Sequence, residues 1–255
     1  MDRWRYKTAR DIDLGPAESA FSVNRETALA SAGTQFLSWT AIWLYLRMYH
    51  RFKVIGKFPA DLKPPFVIIG NHASHLDALI LAAALPARLR HDVYIVAAGD
   101  VFFASTRRAM LSTLLLNCVP MWRKSAGPHA MRQLRERIAE GDTGFILFPE
   151  GARSRDGKML RFKPGLGMLV AGTQATIIPC RIRGAFKACP PEKGMPRPYR
   201  IILKVGEPLR FDNAPNSRRG WEEVVSSCEA AIRGRRASPP AADGTPGAIE
   251  DRPGE

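Results

Sequence analysis

Cysteine is scarce in this chain. Only Cys118, Cys180, Cys189 and Cys228 occur in 255 residues, with no CxxC pair and no metal-ligand spacing. That argues against a disulfide-stapled scaffold or a zinc ribbon and fits a reduced, intracellular chain. Cys118 and Cys180 lie in apolar runs and read as small core residues. No G-x-S-x-G is present, so the serine nucleophile of a strand–turn–helix hydrolase is missing. No uninterrupted apolar run approaches the roughly 20 residues of a bilayer span. The first seven residues are charged and aromatic with no apolar stretch behind them, so no cleavable leader is expected. Acidic residues are also short, 24 against 38 Lys and Arg, a net charge of +14. Such an excess points to an anionic partner: nucleic acid, a membrane surface or a polyanionic substrate.

What is present suits a globular protein. The chain is 45% hydrophobic, too apolar for wholesale disorder, and its length fits one domain with appendages. From Gly234 the composition turns to Ala, Pro, Gly and acidic residues, and residues 234–255 read as a disordered tail. Three arginines face four acids there, so the basicity lies in the preceding chain. Residues 1–60 read as an N-terminal segment and 61–233 as the main domain. The segment contains a helix over about 28–49, with Trp39, Trp43 and Tyr45 followed by Arg47, His50, Arg51, Lys53 and Lys57. Aromatics beside a basic cluster fit a helix at the headgroup boundary of an anionic membrane, and a buried core helix is the competing reading.

Beyond that helix, strands and helices alternate. Strands are predicted at 66–69, 93–97, 118–122, 144–148, 176–179 and 200–205, the last closing the sheet. Helices are predicted at 75–85, 102–116, 130–140, 166–172 and 221–232. This alternation predicts an α/β fold with a mixed, largely parallel sheet flanked by helices.

Two charged clusters follow strand-like runs. The first is Asn71-His72-Ala73-Ser74-His75-Leu76-Asp77, and the second is Phe148-Pro149-Glu150-Gly151-Ala152-Arg153-Ser154. A histidine held by a carboxylate makes a general base near neutral pH. Ser74 and Asp77 also have the spacing of a helix capping box, which places Asp77 in a first helical turn within reach of His72. His75, as the first helical residue, is expected to point away from the loop that carries His72. In the second cluster Arg153, Arg155, Lys158, Arg161 and Lys163 surround one acid, Asp156, among glycines that let a ligand approach the backbone. Arginine in such a loop suits a phosphate. Glu150 either orients Arg153 or holds the loop through backbone hydrogen bonds. Together the clusters suggest a base that activates a hydroxyl on a phosphorylated substrate.

At these residues the chain resembles the glycerolipid acyltransferases typified by 1-acyl-sn-glycerol-3-phosphate acyltransferase. The resemblance rests on four blocks in order: Asn71-His72 with Asp77; Val119-Pro120-Met121-Trp122-Arg123; Phe148 through Ser154 with Phe162, Lys163 and Gly165; and Ile177-Ile178-Pro179. Ala152 stands where the family usually has threonine, and Ala97-Ala98-Gly99-Asp100 lacks a lysine common there. The resemblance implies transfer of an acyl group from acyl-CoA or acyl carrier protein to the free hydroxyl of a lysophospholipid acceptor, 1-acyl-sn-glycerol-3-phosphate first. It implies His72 as base and Asp77 as its partner. Arg123, Arg153 and Lys163 would hold the acceptor phosphate, with Glu150 and Gly151 shaping the pocket. It calls for no metal and no cofactor, and for association with the cytoplasmic face of an anionic membrane, whether peripheral, monotopic or single-pass. Acylation of glycerol-3-phosphate or another lysolipid is the alternative within that class. A nucleic-acid-binding protein would account for the charge but leave residues 36–46 unexplained, so no nucleic acid is expected.

Overall fold

The computed structural model describes residues 29–99, 104–121, 128–192 and 194–234, with Asp13, Glu18, Phe21 and Ser22. Arg123, Trp122, Phe102 and the tail from 235 lie outside the described residues.

In chain order the elements are α1 (Leu29–Tyr49), β1 (Lys53–Ile55), β2 (Phe66–Gly70), α2 (Asp77–Ala84), a 3₁₀ turn (Ala87–Asp92) and β3 (Val93–Ala98). Then follow α3 (Thr106–Leu116), β4 (Cys118–Met121), α4 (Pro128–Glu140), β5 (Gly144–Leu147) and α5 (Gly165–Val170). The chain continues through β6 (Thr176–Arg183), α6 (Ala185–Ala188), β7 (Ile202–Val205) and α7 (Arg218–Arg233). The strands form one seven-stranded sheet in the order β1-β7-β6-β2-β5-β3-β4. All pairings are parallel except β6 with β7. The expected mixed, largely parallel sheet is present.

β2 is central, and its five residues are all buried. Phe66 and Ile68 face one core with Trp39, Leu46, Ile80 and Leu81, while Val67 and Ile69 face another with Phe145, Leu134, Val224 and Ile232. A parallel strand covered on both faces needs such a continuous apolar run. The chain leaves β2 toward β3 on one side, and β5 returns to β6 on the other. A crevice at the carboxyl ends of β6, β2 and β5 is therefore where an open α/β sheet takes its ligand.

Three expectations need correction. β1 was not expected: it has only three residues, one of them Lys53, and only its non-local pairing with β7 makes it a strand, so β7 does not close the sheet. β6 runs past Pro179 to Arg183, because Pro179 lacks only a donor and its carbonyl accepts from the Gly206 N–H at 2.8 Å. Trp39 is fully buried with its indole N–H donating to the Leu115 carbonyl at 3.1 Å, so it belongs to the core rather than to an interfacial belt. α1 thus packs on the core along one stripe only. Gln35, Trp39 and Leu46 bury one stripe, while Phe36, Leu37, Trp43, Leu44, Tyr45 and Met48 stay exposed. No helix among the described residues is long and apolar enough to cross a membrane.

Candidate active site

Beyond β2, the Asn71 side chain imitates a backbone pair. Its amide nitrogen donates to the Ile182 carbonyl at 3.1 Å, and its oxygen accepts from the Ile182 N–H at 2.7 Å. That pins the chain to β6 while the backbone turns away. His72 follows, and its Nδ1 lies 3.0 Å from Oδ2 of Asp77. The same oxygen accepts the N–H groups of Ala73 and Ser74, each at 2.7 Å. A carboxylate oxygen has no proton to give, so the hydrogen of the His72–Asp77 bond sits on Nδ1. The Nε2 lone pair then points away from the carboxylate, and no residue among those described bonds to it. The ring stacks on Phe148, with centroids 4.1 Å apart and planes 15° apart, and the side chain remains 22% exposed. Asp77 is buried, and its second oxygen, Oδ1, has no hydrogen-bond partner among the described residues.

The capping box forms only in part. Asp77 accepts from the Ser74 N–H, but the Ser74 hydroxyl accepts from Leu76 N–H and donates to the Cys189 carbonyl. α2 therefore begins at Asp77 and not at 75, because the Ser74 side chain is drawn into a long-range bond. His75 is not helical, and one of its ring nitrogens lies 3.1 Å from the Pro191 carbonyl.

The second cluster holds the first. β5 runs parallel to β2, so the loop after Leu147 emerges beside His72. Glu150 accepts the His72 N–H at 2.8 Å through one oxygen and the Leu160 N–H at 2.9 Å through the other. The His72 carbonyl accepts the Ser154 N–H at 2.8 Å. Of the two roles open to Glu150, holding the loop is the one its bonds match. Burial pushes its carboxyl up to about 7, against the pull of both N–H groups. Gly151 turns the chain with φ +69°, and the Lys163 side chain crosses it so closely that a Cβ would come within 2.9 Å of Nζ. The Lys163 N–H donates to the Pro149 carbonyl. Arg153 is drawn to His75, with Nη1 against both ring nitrogens. His75 therefore faces the second cluster. Arg123 lies outside the described residues.

Asn71, Phe148, Ser154 and Cys189 also build the site and were not chosen from sequence for these roles. Asn71, Phe148 and Ser154 stand inside the quoted motifs, whereas nothing in the sequence marks the Cys189 carbonyl.

The family model described as Acyltransferase matches residues 51–183, a little over half of the chain, and spans both clusters. The chain belongs to the acyltransferase family. Similar members include the protein named Taffazin of Dictyostelium discoideum, 30% identical over 60% of this chain and 57% of that protein. The 1-acyl-sn-glycerol-3-phosphate acyltransferase of Limnanthes douglasii is 27% identical over 58% of this chain and 51% of the relative. The human 1-acyl-sn-glycerol-3-phosphate acyltransferase alpha is 30% identical over 51% and 44%. The chain spans about half the length of the curated relatives it matches. Among solved structures, the 1-acyl-sn-glycerophosphate (LPA) acyltransferase PlsC of Thermotoga maritima superposes with a TM-score of 0.59 at 24% identity, covering 78% of this chain and 77% of that one. That likeness shows that this acyltransferase-family chain shares its fold.

Proposed function

We propose that this chain transfers a fatty acyl group from acyl-CoA or acyl carrier protein to the free hydroxyl of 1-acyl-sn-glycerol-3-phosphate, giving phosphatidic acid. The observation that carries the reading is the His72 imidazole, bound at Nδ1 by Asp77 and open at Nε2. An alkanol is a poor nucleophile at neutral pH. A base that removes its proton as the bond forms contributes typically 10²–10⁴-fold. Nε2 takes that proton while the hydroxyl oxygen attacks the thioester carbon. Asp77 keeps the tautomer and stabilises the imidazolium, and collapse of the tetrahedral intermediate expels the thiolate, which recovers the proton. The substrate hydroxyl is the nucleophile, so no serine or cysteine is required. Arg153 and Lys163, joined by Arg123, hold the acceptor phosphate, while Glu150 and Gly151 keep the loop beside His72.

A lipid acceptor requires the site to open at a membrane. Besides the exposed side chains of α1, α3 exposes Met110, Leu111, Leu114 and Leu115. The two helices are joined, with the Ser38 hydroxyl and Trp39 indole both donating to the Leu115 carbonyl. With Arg47 in the last turn of α1 and Arg51, Lys53 and Lys57 in the residues that follow it, we place this face in the headgroup region of an anionic membrane, on its cytoplasmic side.

The test is acyl transfer to lysophosphatidate in liposomes, wild type beside His72→Ala, with circular dichroism as the fold control. Loss of two or more orders of magnitude at unchanged fold is expected. Equal rates would remove His72 from the mechanism. Glycerol-3-phosphate and other lysolipids in parallel assays decide the acceptor.

A further inference from the structure

The last helix, α7, reaches the loop that follows Glu150. Its buried stripe of Val224, Cys228 and Ile232 packs in the core that also takes Phe162 and Leu166. Gly167 of α5 lies so close to α7 that a Cβ would stand 2.4 Å from the Trp221 Cα, which seats α7 on the helix that begins directly after Lys163 and Pro164. On the flank of the stripe stand Glu229 and Arg233, both half-buried. Two guanidinium nitrogens of Arg233 converge on one oxygen of Glu229, Nε at 2.9 Å and Nη2 at 2.8 Å. The other oxygen accepts the Phe162 N–H at 3.2 Å. Arg233 Nη2 also reaches the Met159 carbonyl at 3.4 Å, and the Arg233 carbonyl accepts from Arg181 of β6 at 2.8 Å. Residues 159–163 form neither helix nor strand, so their backbone groups need partners from elsewhere. Glu150 accepts the Leu160 N–H at 2.9 Å, and the Pro149 carbonyl accepts the Lys163 N–H at 2.9 Å. The two sets interleave along the chain, α7 holding residues 159 and 162 and the Glu150 loop holding 160 and 163.

From this interleaving, and resting on the acyltransferase reading above, we propose that Glu229 and Arg233 are positioning residues for the acceptor phosphate, because they fix the backbone from which Lys163 projects. Both lie outside residues 51–183, the segment that the family model matches. The place of the Lys163 Cα decides whether its ammonium meets a phosphate beside His72. An ionised acceptor holds an amide roughly twice as strongly as a neutral one, which suits a carboxylate to this grip. Arg233 neutralises that carboxylate as it orients it. A lone carboxylate there would compete with the phosphate for Arg161, which lines the same cavity as Glu229. The side chains of Arg161 and Lys163 stay exposed, so the backbone is fixed while the charges at the tips remain free to adapt.

The experiment compares wild type with Glu229→Ala, Glu229→Gln and Arg218→Ala. The last breaks an exposed pair with Glu222 on the same helix, about three turns before Glu229. Amide hydrogen exchange is read at Leu160, Phe162 and Lys163, and steady-state constants are measured with lysophosphatidate in liposomes and with acyl-CoA. In Glu229→Ala all three amides should exchange about tenfold faster or more, although Glu150 and Pro149 are untouched. The acceptor KM should rise about tenfold, while kcat and the donor KM stay unchanged. Glu229→Gln keeps one oxygen for the Phe162 N–H and should fall between wild type and Glu229→Ala, and Arg218→Ala should match wild type. If circular dichroism shows that Glu229→Ala does not fold, Glu229→Gln carries the same comparison at smaller size. Faster exchange confined to Phe162, an acceptor KM equal to wild type, or a donor KM that rises as much as the acceptor KM would each overturn the proposal. A wild type that transfers no acyl group, while Glu229→Ala frees all three amides, leaves the grip on the loop standing and sinks the acyltransferase reading. An active wild type with the same acceptor KM as every variant does the reverse.

Discussion

The turn from Asn71 to Asp77 and the loop from Glu150 to Lys163 face each other across one crevice and are built on opposite principles. In the turn, Asn71 is tied to β6, His72 is held at both backbone groups and at its ring, and Asp77 collects three donors on one oxygen. In the loop only Glu150, Ser154 and Phe162 are buried, and Arg155, Lys158, Arg161 and Lys163 are exposed. The chemistry of a base depends on angles and a tautomer, which must be set before substrate arrives. Recognition of a phosphate depends on charge at the end of a long side chain, which adapts at small cost. Rigid and adaptable parts meet at Glu150, which belongs to the loop by sequence and to the turn by its bonds.

The sharpest way to break this contrast is Asp77→Asn. An amide oxygen at the place of Oδ2 still accepts all three donors, so the turn and the tautomer survive. The charge that stabilises the imidazolium is gone, and kcat should fall about 10²–10⁴-fold with KM little changed. A drop of only a few-fold would mean that His72 does not acquire charge in the reaction.

Next in size is Glu150→Gln. One amide oxygen cannot accept both the His72 and Leu160 N–H groups, so unfolding free energy should drop by about 1–3 kcal/mol, read from denaturant curves. The same series gives a sign test in pH. Burial raises the Glu150 carboxyl from its ordinary 4.5 to about 7, so the folded protein holds that proton more tightly than the unfolded chain. Wild type should therefore lose stability relative to Glu150→Gln as pH climbs from 4.5 toward 7, and the difference should level off above that. A relative gain over that window contradicts the buried placement of this carboxyl.

Gly151→Ala tests the hinge of the loop. A left-handed backbone with a Cβ costs about 1–2 kcal/mol, and Lys163 must leave its place across the turn. A modest loss of stability should come with a several-fold rise in KM for the phosphorylated acceptor. The smallest effect is expected from Arg153→Ala, an exposed contact with His75. Stability should change by no more than about 0.5 kcal/mol, and the acceptor KM should rise a few-fold. If kcat falls instead, Arg153 belongs with the rigid half.

How much was legible depended on the range of each interaction. His72 and Asp77 are five residues apart on one turn, so their pairing follows from local geometry. The apolar strands and their alternation with helices were readable for the same reason. The capping box misled because Ser74 is claimed by Cys189, 115 residues away, and the start of α2 moved two residues in consequence. Trp39 misled because α1 carries apolar residues on every side, so no periodicity marks the buried stripe. β1 went unread because three residues in a basic flank have no strand signal without β7 beside them.

By itself the sequence determined where the strands and helices alternate and that His72 and Asp77 meet. Hydrophobic runs, turn residues and a five-residue spacing act over short distances, and each is written in one segment. The tertiary structure alone decided that Glu150 grips the backbone of His72 and that Arg153 turns to His75. Those juxtapositions arise from the parallel pairing of β2 with β5 and β6, which brings three strand ends together from distant parts of the chain. Sheet order is set by the packing of the whole core, and no single segment encodes it.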